Sequence, residues 1–296
     1  MEQAVSMTDA SGVVPGVSPQ LYKEADFNRI STLLKEEAGI VLTPKKKMLA
    51  YSRLAPLVRK SGLHIFAEFL DVVDHDSAQH KKVIASLTTN HTYFNREPHH
   101  FVHFEQHVRG DLIARAKAKQ RARIWSAGCS SGEEIHTLMM FLFGADKAVG
   151  KTIAKSDLVV LASDLAPHAV NAAQAAIYNG EAVSKLPPDL RDAWCEPVQD
   201  DRTGSVAISK HITQLIRYRQ LNLLRAWPFT ALFDVIFCRN VMIYFDEPTK
   251  AELVLRFAKQ LKVGGYLYIG HSERVSEEAS QYLQPVGATI YQRIEG

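Results

Sequence analysis

The chain has 296 residues, 46% hydrophobic and 23% charged, with a formal net charge of +3. That length accommodates two domains with cores of their own, and the composition excludes a disordered, collagenous or disulfide-stapled chain. No apolar run approaches the ~20 residues of a membrane span, and MEQAVSMTDASGVVPGVSPQ lacks the basic and apolar regions of a secretory signal. A cytoplasmic location without membrane insertion is therefore expected, and Cys129, Cys195 and Cys238 are too scattered for a disulfide framework or a thiolate zinc site.

Residues 1–17, rich in Ser, Gly, Val and Pro, are expected to form a disordered lead-in. Helical spacing then recurs in Phe27, Ile30, Leu33 and Leu34, in Leu54, Leu57 and Val58, and in Phe66, Phe69 and Leu70, which predicts a helical domain over 18–86. Inside it Lys45, Lys46, Lys47, Arg53, Arg59 and Lys60 follow one another without an acidic residue. That run reads either as a solvated helix face or as a docking patch for an acidic partner.

Residues 87–122 read as a linker and connecting helix. The segment TTNHTYFNRE at 88–97 is dense in hydrogen-bonding side chains at a domain junction, a favoured place for a ligand. His99, His103 and His107 then fall at i, i+4 and i+8 with His100 beside them. No cysteine or third-element ligand joins them, so a surface helix is expected and no metal.

From Arg123 short apolar runs alternate with helix-length segments: RIWSA, LVVLAS, FDVIFC and YLYIG. This predicts a mostly parallel, doubly wound α/β domain over 123–296. The alternation lapses at 178–221, where a Pro-Pro helix start, a DDRTG turn and the runs SVAIS and LIRYR suggest a hairpin-containing insertion, either a long connection or a binding element.

Ligands of open α/β sheets sit beyond the carboxyl ends of the strands. After the first strand, Gly128 and Gly132 bracket a loop that the backbone can turn tightly, though not in the G-x-G-x-x-G form of a dinucleotide site. After the second stands Asp164, which reads as a helix N-cap or as the acceptor of two ribose hydroxyls. Together they suggest an adenosine-containing cofactor. After the third predicted strand IFCRNVMIYFD places an Arg and an Asn inside an apolar run, which requires a polar partner for them.

Three segments carry a resemblance: TTNHTYFNRE at 88–97; WSAGCSSGEE at 125–134 with ASD at 162–164; and FDVIFCRNVMIYFD at 233–246 with GHSE at 270–273. They resemble the CheR family of chemoreceptor methyltransferases, in the right order and over nearly all the chain from about residue 20. The resemblance implies an α/β, Rossmann-like S-adenosylmethionine-dependent methyltransferase fold, with a small N-terminal all-helical domain and an inserted antiparallel β-subdomain. It implies transfer of methyl from S-adenosylmethionine to receptor glutamates, with S-adenosylhomocysteine as product. The implied partner is the cytoplasmic domain of a methyl-accepting chemotaxis receptor, with contact between a receptor tail and the β-subdomain as one option; no nucleic acid and a monomeric enzyme are expected beside it.

Carried over by position, Asn90, Thr92, Arg96, Glu134, Asp164, Asn222, Leu223, Cys238 and Arg239 would line the cofactor site, and the strand-end reading adds Gly128 and Asn240 to them. Arg96, Arg239 and Tyr244 would stand near the reacting groups, Arg239 being alternatively a buried structural ion pair. The segment departs from the family at Asn95, where a second aromatic often precedes the arginine. Competing readings are a methyltransferase for a small carboxylate or RNA, and a scaffold without turnover. The short basic run, confined to the helical domain, argues against RNA.

Overall fold

The computed structural model describes residues 17–88, 91–199 and 203–295. The lead-in thus lies outside the described residues except for Val17, which is buried and accepts a 2.6 Å hydrogen bond from the Tyr51 hydroxyl. The chain forms two compact units, Met1–Thr89 with Tyr244–Asp246, and Asn90–Ile243 with Glu247–Gly296. No described helix is long and apolar enough to cross a membrane.

The first unit is built on helices α1 (Glu24–Ala38), α2 (Lys47–Lys60), α3 (Phe66–His75) and α4 (Ser77–Leu87). Phe27, Ile30, Leu34 and Ala38 make a buried stripe on α1, which stops where Gly39 takes a left-handed φ of 68°. Asp76 caps α4 by accepting the N–H groups of Ala78 and Gln79. Within the basic run Arg53 is a structural tie, half-buried and donating to the carbonyls of Leu87 and Thr88 at 3.0 Å each. Tyr244 also belongs here: its carbonyl accepts the Val41 N–H at 2.9 Å, and the Lys46 ammonium lies 5.5 Å from its ring centroid.

The second unit opens with α5 (Pro98–His103), which continues through a π turn at Phe104–Val108 into α6 (Arg109–Lys117). Strands β1 (Ala122–Ala127), β2 (Leu158–Asp164), β3 (Ile177–Asn179), β4 (Cys195–Pro197), β5 (Ser205–Ile208), β6 (Ile216–Gln220), β7 (Phe233–Cys238), β8 (Leu261–Ile269), β9 (Leu283–Gly287) and β10 (Ile290–Arg293) follow. Seven form one sheet in the order β6-β2-β1-β7-β8-β10-β9. β6, β2, β1, β7 and β8 run parallel, and β10 is antiparallel to both its neighbours. Every residue of β7 is buried, as expected of a strand covered on both faces. Since β2 and β7 flank β1 on opposite sides, the chain reverses direction across the sheet there, and the crevice opens at the carboxyl ends of these three strands.

Two readings of the sequence are corrected. LIRYR is not a hairpin strand of the insertion: Ile216–Gln220 pairs parallel with Val160–Asp164 and forms the edge of the main sheet. What remains is a separate antiparallel sheet in the order β3-β5-β4. The histidine-bearing helix is not simply a surface helix, because His100 is fully buried with Nε2 2.9 Å from Thr289 Oγ1, and His103 Nδ1 lies 2.9 Å from the Tyr268 hydroxyl. Only His99 and His107 are exposed. Packing of this helix against β8 and the turn before β10 overrides the polarity of its sequence.

Candidate functional site

Three strand ends converge. After β1, the N–H groups of Gly128 and Cys129 donate to the Ser163 carbonyl at 2.8 and 2.9 Å, which ties the glycine loop to the end of β2. Gly128 has φ of +85°, and a Cβ there would lie 2.3 Å from Val241 Cγ2, so only glycine lets the loops after β1 and β7 close on each other. Asp164 accepts the Ser130 N–H on Oδ2 and the Ala166 N–H on Oδ1, both at 2.9 Å. Ala166, not Asp164, caps helix Pro167–Ala175. The N-cap reading therefore fails, and each oxygen of this nearly buried carboxylate keeps acceptor capacity. Burial pushes its carboxyl above the ordinary value against the pull of backbone N–H groups, those of Ala166 and Ser130 foremost, and of His168.

The Arg in the apolar run finds its partners in a buried cluster. Arg239, whose side chain is 2% exposed, places Nη1 3.2 Å from Glu134 Oε2 and Nη2 3.5 Å from Glu97 Oε2. Nη2 also donates to the Arg96 carbonyl, and the guanidinium lies 5.4 Å from the Phe101 ring centroid. Glu134 takes a second bond, at 2.7 Å, from the Ser126 hydroxyl. Burial drives the Glu134 carboxyl upward while Arg239 pulls it back. Burial opposes ionisation of Glu97 too, yet the Arg239 guanidinium and the His271 ring outweigh it and hold Glu97 below the carboxylate range.

The adjoining Asn240 stands at a left-handed φ of 59°, a conformation Asn tolerates better than most residues. Glu273 fixes the turn: Oε2 accepts the N–H groups of Gly270 and Asn240 at 2.6 and 3.2 Å, and Oε1 that of Met242 at 2.7 Å. Asn240 Nδ2 reaches Glu97 Oε1 at 3.4 Å, and His271 Nδ1 lies 3.1 Å from the same oxygen. Glu97, His271 and Glu273 are the participants the residue-by-residue reading missed. They were present at the ends of TTNHTYFNRE and in GHSE, but their partners lie far away in sequence.

Of the other residues singled out, Asn90 lies outside the described residues, and Thr92 is half-buried. Arg96 is half-buried, donates to the His91 carbonyl at 3.0 Å and lies 5.6 Å from the Tyr93 ring centroid. Asn222 accepts the Leu224 N–H at 2.9 Å beyond β6, while Leu223 and Cys238 are buried. Tyr244 stands with the helical unit, as described.

Behind the glycine loop, His136 is fully buried on α7 (Glu133–Phe143), between the hydroxyls of Tyr178 and Tyr218 at 2.8 Å each. Burial lowers its pKa to about 3. An unfolded chain takes up this proton below about pH 6.5, so the neutral ring contributes stability that is present above that pH and lost as pH falls toward 3. His136→Gln is expected to flatten the acid side of the stability profile by up to ~1.4 kcal/mol per pH unit, read from urea midpoints between about pH 6.5 and about pH 5.

A glycine loop after the first strand of a parallel sheet, a buried aspartate after the second and a polar cluster after β7 make a doubly wound α/β domain with a polar crevice at its strand ends, and the family model assigns this domain to the S-adenosylmethionine-dependent methyltransferases. Residues 90–292 match the family model described as CheR methyltransferase, SAM binding domain, and residues 25–88 match CheR methyltransferase, all-alpha domain. The chain belongs to the CheR methyltransferase family. It is 40% identical over 261 residues to a probable chemotaxis protein methyltransferase of Rhizobium etli, covering 88% of this chain and 96% of that one. It is 35% identical to the chemotaxis protein methyltransferase of Escherichia coli, covering 90% of each chain. The corresponding protein of Borreliella burgdorferi is 34% identical, with 88% of this chain and 92% of the relative covered.

Proposed function

We propose that this methyltransferase esterifies glutamate side chains on the cytoplasmic domain of methyl-accepting chemotaxis receptors, acting in the cytoplasm as a monomer, with residues 18–86 as its helical domain and 123–296 as its catalytic one. The observation that carries this reading is similarity to chemotaxis protein methyltransferases over nearly the full length of both chains. The basic run of the helical unit suits an acidic receptor surface. The edge strands β3 and β4 of the small sheet suit an extended receptor tail.

The site's residues fit S-adenosylmethionine. Asp164 retains acceptor capacity for the ribose diol, and Glu134 supplies a carboxylate for the ammonium. Arg96 spends one of its donors on His91 and keeps others for the cofactor's carboxylate. Asn90, Thr92, Gly128, Asn222, Leu223, Cys238 and Asn240 are proposed to complete the lining. When bound, the cofactor supplies a methyl group already activated by its sulfonium.

A glutamate acceptor with a reference pKa of about 4.3 is ionised at neutral pH, so the chain need not remove a proton. Its task is alignment and exclusion of water. The family resemblance alone gives Tyr244 the role of orienting the acceptor carboxylate. Arg239 is better placed as a positioning residue than beside the nucleophile. With Glu97 and Glu134 on either side its charge is already compensated, whereas a free guanidinium would stabilise the reactant carboxylate more than the transition state in which that charge disperses. Methyl transfer removes one negative charge from the receptor, which is the signal.

The test is transfer of labelled methyl from S-adenosylmethionine to a receptor cytoplasmic domain, followed by alkaline treatment. Label released as methanol, and absent with Arg96→Ala, is the expected outcome. Tight cofactor binding without receptor labelling would sink the acceptor assignment.

A further inference from the structure

We propose that His136 is a positioning residue which, as its neutral Nδ1–H tautomer, links both stems of the insertion to the Ser131 carbonyl of the glycine loop. The inference rests on the reading of that loop as part of the cofactor site.

The direction of each hydrogen bond follows from counting hydrogens. The Tyr178 hydroxyl lies 2.6 Å from the Ser131 carbonyl, which can only accept, so Tyr178 donates there. Its oxygen, 2.8 Å from His136 Nδ1, must then accept, which places the ring's hydrogen on Nδ1. A neutral imidazole has one such hydrogen, so Nε2 accepts from the Tyr218 hydroxyl at 2.8 Å. The result is one continuous chain from Tyr218 through His136 and Tyr178 to Ser131. Burial, which keeps the imidazole neutral and raises both phenols, is consistent with it.

Packing points the same way. A Cβ on Gly132, whose φ is +99°, would lie 2.8 Å from the Tyr178 hydroxyl and 2.9 Å from His136 Cε1, so the loop backbone is pressed onto the chain of hydrogen bonds. The loop residue before Ser131, Ser130, donates its N–H to Asp164, so a shift of the Ser131 carbonyl is felt at that carboxylate. Tyr178 sits in β3 opposite Val206 of the small sheet, and Tyr218 in β6 opposite Ala162 of the main one. The insertion thus leaves from and returns to a single imidazole. Three apolar rings would fill this space without desolvating polar groups, so packing alone does not call for the arrangement.

The test combines nitrogen NMR of His136 in the full chain with cofactor titration by calorimetry. Tyr178→Phe keeps the ring, which makes a T-shaped contact with Phe94 at 4.8 Å between centroids, and so removes the hydroxyl with the least loss of packing. In the parent, Nδ1 is expected protonated and Nε2 unprotonated. In Tyr178→Phe, Nδ1 loses its acceptor and the proton is expected to move to Nε2, facing Tyr218, a switch that a purely space-filling role would not produce. The variant's Kd and KM for S-adenosylmethionine are expected to rise about five-fold, the equivalent of one hydrogen bond, with kcat within about two-fold. An Nε2–H or charged ring in the parent overturns the proposal whatever the titration gives. If the tautomer is as expected but Tyr178→Phe binds cofactor like the parent while Asp164→Ala does not, the link to the loop is overturned and the site reading survives. If both variants bind like the parent, the loop is not the cofactor site and both fall.

Discussion

Arg239→Met is expected to destabilise the methyltransferase unit by about 3–5 kcal/mol, the range found when one partner of a buried ion pair is removed and the other is left charged. Two carboxylates lose this guanidinium at once in a largely buried setting: Glu134 is left with the Ser126 hydroxyl, and Glu97 with His271 and Asn240. Methionine fills the volume without supplying a hydrogen-bond donor, so the loss is electrostatic rather than steric. Adding Glu134→Gln should recover part of it, because the amide stays buried beside Ser126 without a charge. Denaturant unfolding of the two variants measures both quantities. A loss below about 1 kcal/mol, the range of exposed pairs, would show that water reaches the cluster and that the guanidinium is not architectural.

The second large effect is expected at Asp164. Asp164→Ala removes the proposed acceptor of two ribose hydroxyls, and charge-assisted hydrogen bonds contribute about 1.5–3 kcal/mol each, so S-adenosylmethionine affinity should fall at least 10²-fold. It also strips the Ser130 and Ala166 N–H groups of their acceptor, so a loss of stability accompanies it. Asp164→Asn separates the two: its amide oxygen still serves one backbone N–H, and affinity should drop further than stability. Calorimetric titration beside thermal unfolding decides the matter, and unchanged affinity in both variants would exclude Asp164 from the site.

The α/β core was legible because a strand buried on both faces must be written as a continuous apolar run, and FDVIFC is one. The same rule misled at LIRYR, an edge strand whose exposed alternate residues look like those of a hairpin. β9 and β10 escaped notice because QPVGATIYQR is short and polar, and its pairing with β8 appears only in three dimensions. In the site, Asp164 could be named because its place at a strand end is a local property. Glu97, His271 and Glu273 could not, since each is defined by a residue on another element and periodicity carries no such information. The histidine helix shows the limit from the other side: four polar rings in ten residues suggested solvent, and packing against Thr289 and Tyr268 buried one and half-buried another.

The discontinuous membership of the helical unit has a consequence for inheritance. Residues Tyr244–Asp246 group with Met1–Thr89, although the sequence writes them between β7 and the helix Glu247–Gln260. A gene segment that ends near codon 88 therefore encodes an incomplete body, one whose Val41 N–H has lost the Tyr244 carbonyl and whose Lys46 has lost the ring beside it. Recombination that trades this module between related genes in a single crossover delivers a mismatched triplet at 244–246. Compatible triplets must accordingly travel as a second, separate exchange or be selected afterwards, and the two stretches of DNA behave as one heritable unit.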